Sequence, residues 1–508
     1  MFGTTSSNVD VKELKNILIH VKEKFSVELK LAQQELPNSF WETYSAFSNT
    51  SGGYVILGVE ESSPENIIKG VGNVEKNLSI LWDNLSNTTK VSYKTIDNED
   101  VSVVEIEKDV NVILIHVKEA PESKKPVHLK GKIDNSYVRT GDGDRRVTKE
   151  ELAAFIRNAS SGQDDQVIDN YSINDLDIDS VISYKEKVSK RYPQKKYNAM
   201  SNEDFLVEIG ACKYDRISSE FKIKKGALLF FGKCNSIKEI YPQYHVDYYN
   251  RQGENPRWSD RVTDDEPSDY EMNLYNFYSI VYEKLRVVSQ NEFELNDEQL
   301  RKPVLDIDEV LREALVNCVA HADYVQGYPS TKIEVYDGWF RFLNPGKMLV
   351  STEQFFVGGD SRPRNEIVMK LFRLLGVSER QGFGGPLIIK SALVNFLRKP
   401  EIETSLERTE LRVWNIDLVN SYPDFSDETK EVLRIFVKTN SEISISEIVK
   451  NTSLSDYKVR KSILLLEGKK IITKSGSGPS TKYSLAANSL EFITWLQMAL
   501  EKMKKQIT

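Results

Sequence analysis

Apolar residues recur at helical spacing in "VDVKELKNILIHV" and again in "SFWETYSAFSNTSG", where Gly52 and Gly53 supply a stop signal. Short β-branched runs follow. "GYVILGVEE", "KTIDNEDVSVVEIEK" and "NVILIHVKEA" predict buried or half-buried strands, and "SYVRTGDGDRRVTKEELAAFIRN" passes from strand through a turn into helix. Residues 1–160 therefore predict an α+β domain. The polar stretch "NASSGQDDQVIDNYSIND" breaks the periodicity and predicts a linker, which places a boundary near residue 160. Beyond it, residues 161–265 form a linker and middle α/β region: the basic helical run "YKEKVSKRYPQKKY", then "GALLFFGKCNSIKEIYPQYHVDYYN", read as strand, short helix and strand. From "YEMNLYNFYSIVYEKLRVV" long helices interleave with strands, predicting a second α/β unit over 266–420.

The tail, 421–508, differs again. "DETKEVLRIFVKTN", "SISEIVKNT" and "SDYKVRKSILLLEGKK" are three amphipathic helices, and "IITKSGSGPSTKYSL" reads as a hairpin with a Gly/Ser tip, the order of a winged helix. The final "SLEFITWLQMALEKMKKQ" keeps helical spacing at Leu490, Ile493, Leu496, Leu500 and Met503, as a packing or dimer helix would. The whole is a multidomain α+β chain.

Composition narrows the class. At 508 residues the chain exceeds one ordinary core. A hydrophobic fraction of 40% with 28% charged residues is that of a globular protein, and no apolar run approaches the roughly 18 residues of a membrane span. "MFGTTSSNVDVKELKN" lacks the basic and apolar regions of a secretory signal, so a cytoplasmic location is expected and a membrane partner is not. Three scattered cysteines exclude a disulfide framework, and five histidines without His-x-x-x-His spacing give no all-protein zinc site. A net charge of −8 means that phosphate has to be met by local basic patches.

Candidate chemistry lies first in "REALVNCVAHADY". On a helix, Glu313 and Asn317 share a face at i and i+4, with His321 one turn on. A carboxylate and an amide so placed can hold a water and a magnesium ion. The glycines of "FLNPGKM" and "RQGFGGPLI" (Gly346, Gly382, Gly384, Gly385) allow close backbone approach and free N–H groups near phosphates. With "SRPRNEIV", which contains Arg364, these pieces over about residues 305–415 resemble the GHKL ATP-binding fold of type II topoisomerases and histidine kinases, an α/β sandwich, and more closely its divergent branch joined to Schlafen/AlbA-like domains. The resemblance implies ATP and Mg²⁺ as cofactors, Glu313 as the residue polarising the attacking water and Asn317 as the Mg²⁺ ligand. His321, Gly346, Arg364 and the three later glycines would complete the nucleotide site. Asn344 stands where most members carry the aspartate that reads the adenine amino group, and an amide presents a different donor and acceptor pattern.

The N-terminal segments "EKFSVELK", "AFSNTSGGYVILGVEE", "KKPVHLKGK" and "YVRTGDGDRRV", over about residues 20–157, resemble the Schlafen/AlbA-like signature. In nuclease members three acidic residues form a metal-dependent site for cutting RNA. They fall here on Glu23, Glu28 and Glu60, with Glu61 as rival for the third. Glu23 and Glu28 are five apart, so they share a site only if the chain bends between them; otherwise Glu28 and Lys30 form a polar strand edge while Glu23 caps a helix. Clustered carboxylates of this kind hold Mg²⁺ or Mn²⁺ and activate water against phosphate. Lys30, Lys124, Lys125, Lys130, Lys132, Arg139, Arg145 and Arg146 are candidates for tracking the backbone of RNA or single-stranded DNA. Lys458, Arg460 and Lys461, at the start of the tail's recognition helix, are candidates for duplex DNA. The expectation is a nucleic-acid-binding protein that acts as a metal-dependent endonuclease gated by ATP, a homo-oligomer suited to a bacterial defence or stress role. The alternative is a non-catalytic, ATP-responsive DNA-binding regulator.

Overall fold

The computed structural model describes residues 11–489 apart from residues 24, 142, 160–161, 254–256, 295–306, 360–361, 379–381, 395–396, 417–418, 421, 423, 440–441, 477, 479–480 and 488. The proposed C-terminal helix with Trp495 lies outside the described residues. The chain divides into two compact units, residues 1–161 and 162–508.

In the first unit the strand Val27–Lys30 runs parallel to Gly53–Leu57, which pairs antiparallel with Val110–Val117 and, through it, with Val101–Glu107. The helix Ser39–Asn49 lays Phe40, Tyr44 and Phe47 on one face against Val55, Ile113 and Ile115. The helix Val11–His20 covers the other face through Leu18, against Leu29, Ile56 and Val112. Asn49 shows why "AFSNTSGG" has its form. Its amide donates to the carbonyls of Val127 and Tyr137 and accepts from Val127 N, so a buried side chain ties the helix end to two later segments with its polar atoms satisfied. Gly52 turns the chain with φ +72, and a Cβ on Gly53 would lie 2.8 Å from the Phe47 ring.

The second unit holds a six-stranded sheet in the order Asp260–Thr263, Val246–Asn250, Thr331–Tyr336, Trp339–Pro345, Arg408–Trp414, Glu401–Thr404, with one parallel pair, 246–250 with 331–336. One apolar core runs from Ile168 to Val413 and includes the helices Leu274–Glu294 and Ile307–His321. The division expected at residue 265 is therefore not a boundary, because strands on both sides of it belong to one sheet. "ALLFFG" is also not a strand but part of the helix Lys225–Phe231, buried throughout. A short apolar run buried on every side carries no period by which to tell helix from strand. On the other face of the sheet, charges alternate in a ladder. Glu334 joins Arg251 to Arg341, Arg341 reaches Glu410, Glu410 holds Arg412, and Arg412 meets Glu403 and Glu401, at 2.6–3.5 Å.

The expected linker also contains a fold-determining residue. The helix Glu366–Leu375 begins after Asn365, whose side chain does not cap it but donates to the carbonyls of Ala320 and Ala322. Asp164 supplies the cap instead. Its Oδ2 accepts from Ile367 N at 2.8 Å and Val368 N at 3.1 Å, satisfying amides that a helix start leaves without partners. In the tail, helices Asp427–Thr439, Ile445–Asn451 and Asp456–Gly468 precede a hairpin of Ile472–Ser475 with Lys482–Leu485 over their own core. Among the described residues no helix is long and apolar enough to cross a membrane.

Burial pushes the Asp164 carboxyl up to about 6. The folded state then holds this proton more tightly than the unfolded chain, so Asp164 withdraws stability as pH rises from about 4 to about 6. Asp164→Asn keeps an acceptor for the two amides and is expected to flatten that slope in melting temperature; Asp164→Ala is expected to flatten it as well and to be less stable than Asp164→Asn by about 1–2 kcal/mol, because it leaves the helix uncapped. Identical pH slopes for wild type and Asp164→Asn would refute the assignment.

Candidate functional site

The helix Ile307–His321 forms one wall of a cavity of about 1000 Å³ counted out to its solvent mouth. Glu313, Asn317, His321, Asn344, Gly382, Gly384 and Gly385, singled out from separate parts of the sequence, all line it. Asn317 Nδ2 donates to Glu313 Oε1 at 3.2 Å, which leaves the amide oxygen of Asn317 as its acceptor for a cation. Glu313 is buried, and Gly384 is packed so closely that a Cβ there would lie 2.1 Å from Glu313 Oε1. The glycine is thus needed for close approach to a carboxylate. Burial, followed by the Arg364 guanidinium, pushes His321 down to about 4 and keeps it neutral near pH 7. Asn344 sits on the strand Trp339–Pro345 with its Nδ2 donating to Pro345 O, opposite Thr409 on the neighbouring strand.

Two predicted residues do not line the cavity. Arg364 lies behind it, donating to the carbonyls of His321 and Lys347 and facing Asp323 at 3.8 Å, and Gly346, at φ +90, passes close to Asp323 and Arg364. Together with Asn365 this explains "PRN" physically: both side chains take carbonyls at the C-terminal end of the Glu313 helix and fasten the following segment to it. The sequence reading missed Lys347, Arg362 and Arg373, three cations on the cavity lining, and the apolar Phe342, Met348 and Leu411. The arginines sit next to motifs or inside a helix, where no spacing marks them.

In the first unit, the chain does bend before the strand. Phe25 and Ser26 form a turn, and Glu23 Oε1 reaches back to accept from Leu29 N at 3.1 Å. Burial raises the Glu23 pKa, the Leu29 amide opposes this, and the negative charges of Glu28 and Glu61 raise it further. Glu61 also accepts from Glu23 N. Glu60 is turned elsewhere, paired with Lys69 at 2.5 Å across the short strands Val59–Glu60 and Ile67–Ile68. Glu61, the residue after the strand Val59–Glu60, is the acid in contact with Glu23, whereas Glu60 is taken up by Lys69. Glu28 is held by Lys30 at 2.9 Å and by Arg139 at 2.8 Å, and Arg139 binds Asp144 at 2.9 Å over the Phe47 ring. Arg139 is 1% exposed and Lys30 11%, so neither belongs to a backbone-tracking surface. Lys125 is fully buried between Glu119 and Glu122. Lys130 and Arg146 remain exposed, the latter over Tyr137, and Arg145 is paired with Glu151. In the tail Lys458, Arg460 and Lys461 are exposed, the first two paired with Glu428 and Asp456. Among the described residues, the group with three ligand atoms mutually within 4.8 Å is His245, Asp264 and Asp265, not these acids.

Residues 16–148 match the profile of the family Schlafen, AlbA_2, and residues 330–413 that of the putative ATP-dependent DNA helicase recG C-terminal family. The chain joins a Schlafen AlbA_2 domain to a recG C-terminal-type domain. Between them, residues 153–247 match a domain of unknown function (DUF8451). The recG C-terminal match includes Asn344, Arg364 and the three cavity glycines and begins after the helix that carries Glu313. A solved structure, the DIP2311 protein from Corynebacterium diphtheriae, aligns over 94% of this chain and 99% of its own at 14% identity, with a TM-score of 0.37. No curated protein sequence matches.

Gly384→Ala in the recG C-terminal-type domain drives a methyl group into the buried Glu313 carboxylate. Overpacking of this kind costs about 1–3 kcal/mol, so nucleotide affinity measured by calorimetry is expected to fall roughly tenfold or more while far-UV circular dichroism stays unchanged. Wild-type affinity in this variant would show that the contact has no part in the site.

Proposed function

We propose that this chain binds ATP with a divalent cation in the cavity around Glu313, and that its Schlafen AlbA_2 domain cuts RNA or single-stranded nucleic acid under control of that nucleotide. The observation that carries the nucleotide half is the gathering of Glu313, Asn317, His321, Asn344 and the Gly382–Gly385 turn on one cavity from segments far apart in sequence. Asn317, its nitrogen committed to Glu313, fits an oxygen ligand for Mg²⁺, and Glu313 is the carboxylate placed to polarise a water. Lys347, Arg362 and Arg373 bring positive charge to the same lining, as a polyphosphate requires.

For the nucleic-acid half, Glu23 adjoins both Glu61 and Glu28, three carboxylates of the kind that hold a divalent ion, while Lys30 and Arg139 pair with Glu28. A bound Mg²⁺ or Mn²⁺ would supply an activated water and neutralise charge on phosphate. Arg139 and Lys30 hold Glu28 in place, and the turn at Phe25 and Ser26 delivers Glu23. The tail, with three helices and a hairpin, supports a winged helix that contacts duplex DNA through Lys458, Arg460 and Lys461. Three free cysteines fit a reducing, cytoplasmic setting, and pairing through the nucleotide domain into a homo-oligomer fits a defence or stress effector. A second reading, a non-catalytic ATP-responsive DNA-binding regulator, is favoured by one observation: Glu28 already has two cationic partners and needs no metal.

Incubation of the protein with total tRNA and with single-stranded DNA in Mg²⁺ or Mn²⁺, with and without ATP, separates the two. Cleavage is expected to disappear in Glu28→Ala and Glu61→Ala, persist in Glu60→Ala, and change in rate with ATP. Intact substrates under every condition would leave the regulator as the reading.

A further inference from the structure

The stretch from Lys185 to Lys225 carries eleven Lys and Arg against six Asp and Glu in a chain whose net charge is −8. Three of them, Lys213, Lys222 and Lys224, fall on a small antiparallel sheet, Val167–Ile168, Phe221–Lys224 and Cys212–Tyr214, with Cys212–Tyr214 at an edge. Register decides which side chains share a face. Cys212 pairs with Ile223, both buried, and they mark the core side. Lys213 stands directly opposite Lys222, and Lys224 lies two residues along the same strand, so three ammonium groups occupy the outer face.

Like charges directly opposite on a sheet are destabilising, and this arrangement has no compensating acid between the pair on its own strands. The nearest acids quench it only in part. Lys222 meets Glu220 and Asp169, and Lys224 meets Asp165; the lysine side chains are 19% and 16% exposed, but the carboxylates are more than half exposed, so the pairs stay open to water. Lys213 has no ion pair within 4 Å among the described residues. Asp215 is used locally, accepting from Ile217 N and Ser218 N to hold the hairpin tip, where Ile217 is 97% exposed and Arg216 stands beside it. A further cation comes from the helix Glu366–Leu375: Lys370, whose pKa is lowered by burial and then by Lys224. One turn further on, Arg373 lines the nucleotide cavity.

We propose that the outer face of this sheet, with Lys213, Lys222, Lys224, Arg216 and Lys370, is a second nucleic-acid contact surface, separate from the Schlafen AlbA_2 domain and from the tail. Lysines two apart on one strand face repeat at about 6.7 Å, twice the 3.4 Å axial spacing of phosphates along one strand of a duplex. Evenly spaced charges of one sign suit a phosphodiester backbone better than the irregular carboxylates of a protein surface. Tyr214 takes no part in this face: it lies on the Cys212 side of the strand, edge-on to Phe221, with its hydroxyl donating to Asp204.

The test uses the full chain in EDTA, which stops metal-dependent cleavage, with a fluorescein-labelled 20-nucleotide RNA and a 20-base-pair DNA. Lys213→Gln/Arg216→Gln/Lys222→Gln and the corresponding Glu variant are compared with wild type after matching their melting temperatures. The expected result is a rise in Kd of tenfold or more, and a slope of log K against log salt smaller by about 2 to 3. Ultraviolet cross-linking of wild type should also label the peptide that contains Lys213 and Arg216. If the Glu variant fails to fold, the Gln variant alone decides. Unchanged Kd and slope would overturn the proposal, as would binding that survives these changes but falls with Arg145→Glu/Arg146→Glu, which would assign contact to the Schlafen AlbA_2 domain alone. Equal displacement of the nucleic acid by polyglutamate would overturn it in favour of an acidic protein partner. Wild type that binds neither probe would overturn it together with the nucleic-acid half of the proposed function, whereas loss of cleavage alone would leave it standing.

Discussion

The start of the helix Glu366–Leu375 must be capped, and the residue in the capping position is already committed elsewhere. Asn365 gives its amide hydrogens to Ala320 and Ala322, which ties the helix to the end of the one that carries Glu313. Arg364 does the same to His321. The cap then has to come from outside, and Asp164 brings it from two hundred residues away in sequence. One small junction therefore fixes three elements: the Glu313 helix, the helix that presents Met369 and Arg373 to the cavity, and the segment leading into the basic sheet. A buried carboxylate is tolerated here because two backbone amides satisfy one of its oxygens and the helix start favours negative charge.

A comparable economy operates in the first unit. Arg139 is read naturally from sequence as a surface residue because arginines usually are. Its burial becomes intelligible only when Glu28, Asp144 and the Phe47 ring are brought together from four separate segments. Removing Arg139 would leave Glu28 to Lys30 and Asp144 to the Thr43 hydroxyl, and removing either acid would leave the buried guanidinium with one carboxylate instead of two.

What could be read in advance follows from how local each signal is. Glu313, Asn317 and His321 were legible because helical spacing alone puts them on one face, and the glycines were legible because few residues fit a close approach. The bend at Phe25 and Ser26 could be stated as a condition, since the period of a strand makes it necessary if Glu23 and Glu28 are to meet. Glu60 could not be separated from Glu61, because the choice rests on which of the two meets Lys69 and which meets the Glu23 amide, contacts between segments that no spacing encodes. The helix at "ALLFFG" was hidden by uniform burial, and Asp164 by lying within a stretch whose polarity is that of a linker. Lys347 and Arg362 lie inside the quoted stretches "FLNPGKM" and "SRPRNEIV" and Arg373 within a helix, but no spacing says that their side chains turn to one cavity.

The charge ladder across the six-stranded sheet has an evolutionary corollary. Arg341 and Arg412 are direct cross-strand neighbours, and Glu410 lies between their guanidinium groups with both ion pairs at about 2.6–2.7 Å. A single exchange at Glu410 would remove the acid between two arginines, and an exchange at either arginine would leave a carboxylate that is 2% exposed with one cationic partner instead of two. Exchange on this face is therefore costly one residue at a time: leaving the arrangement without loss of stability requires changing several of its members together, on the reverse side of the strands whose Phe342 and Leu411 line the cavity.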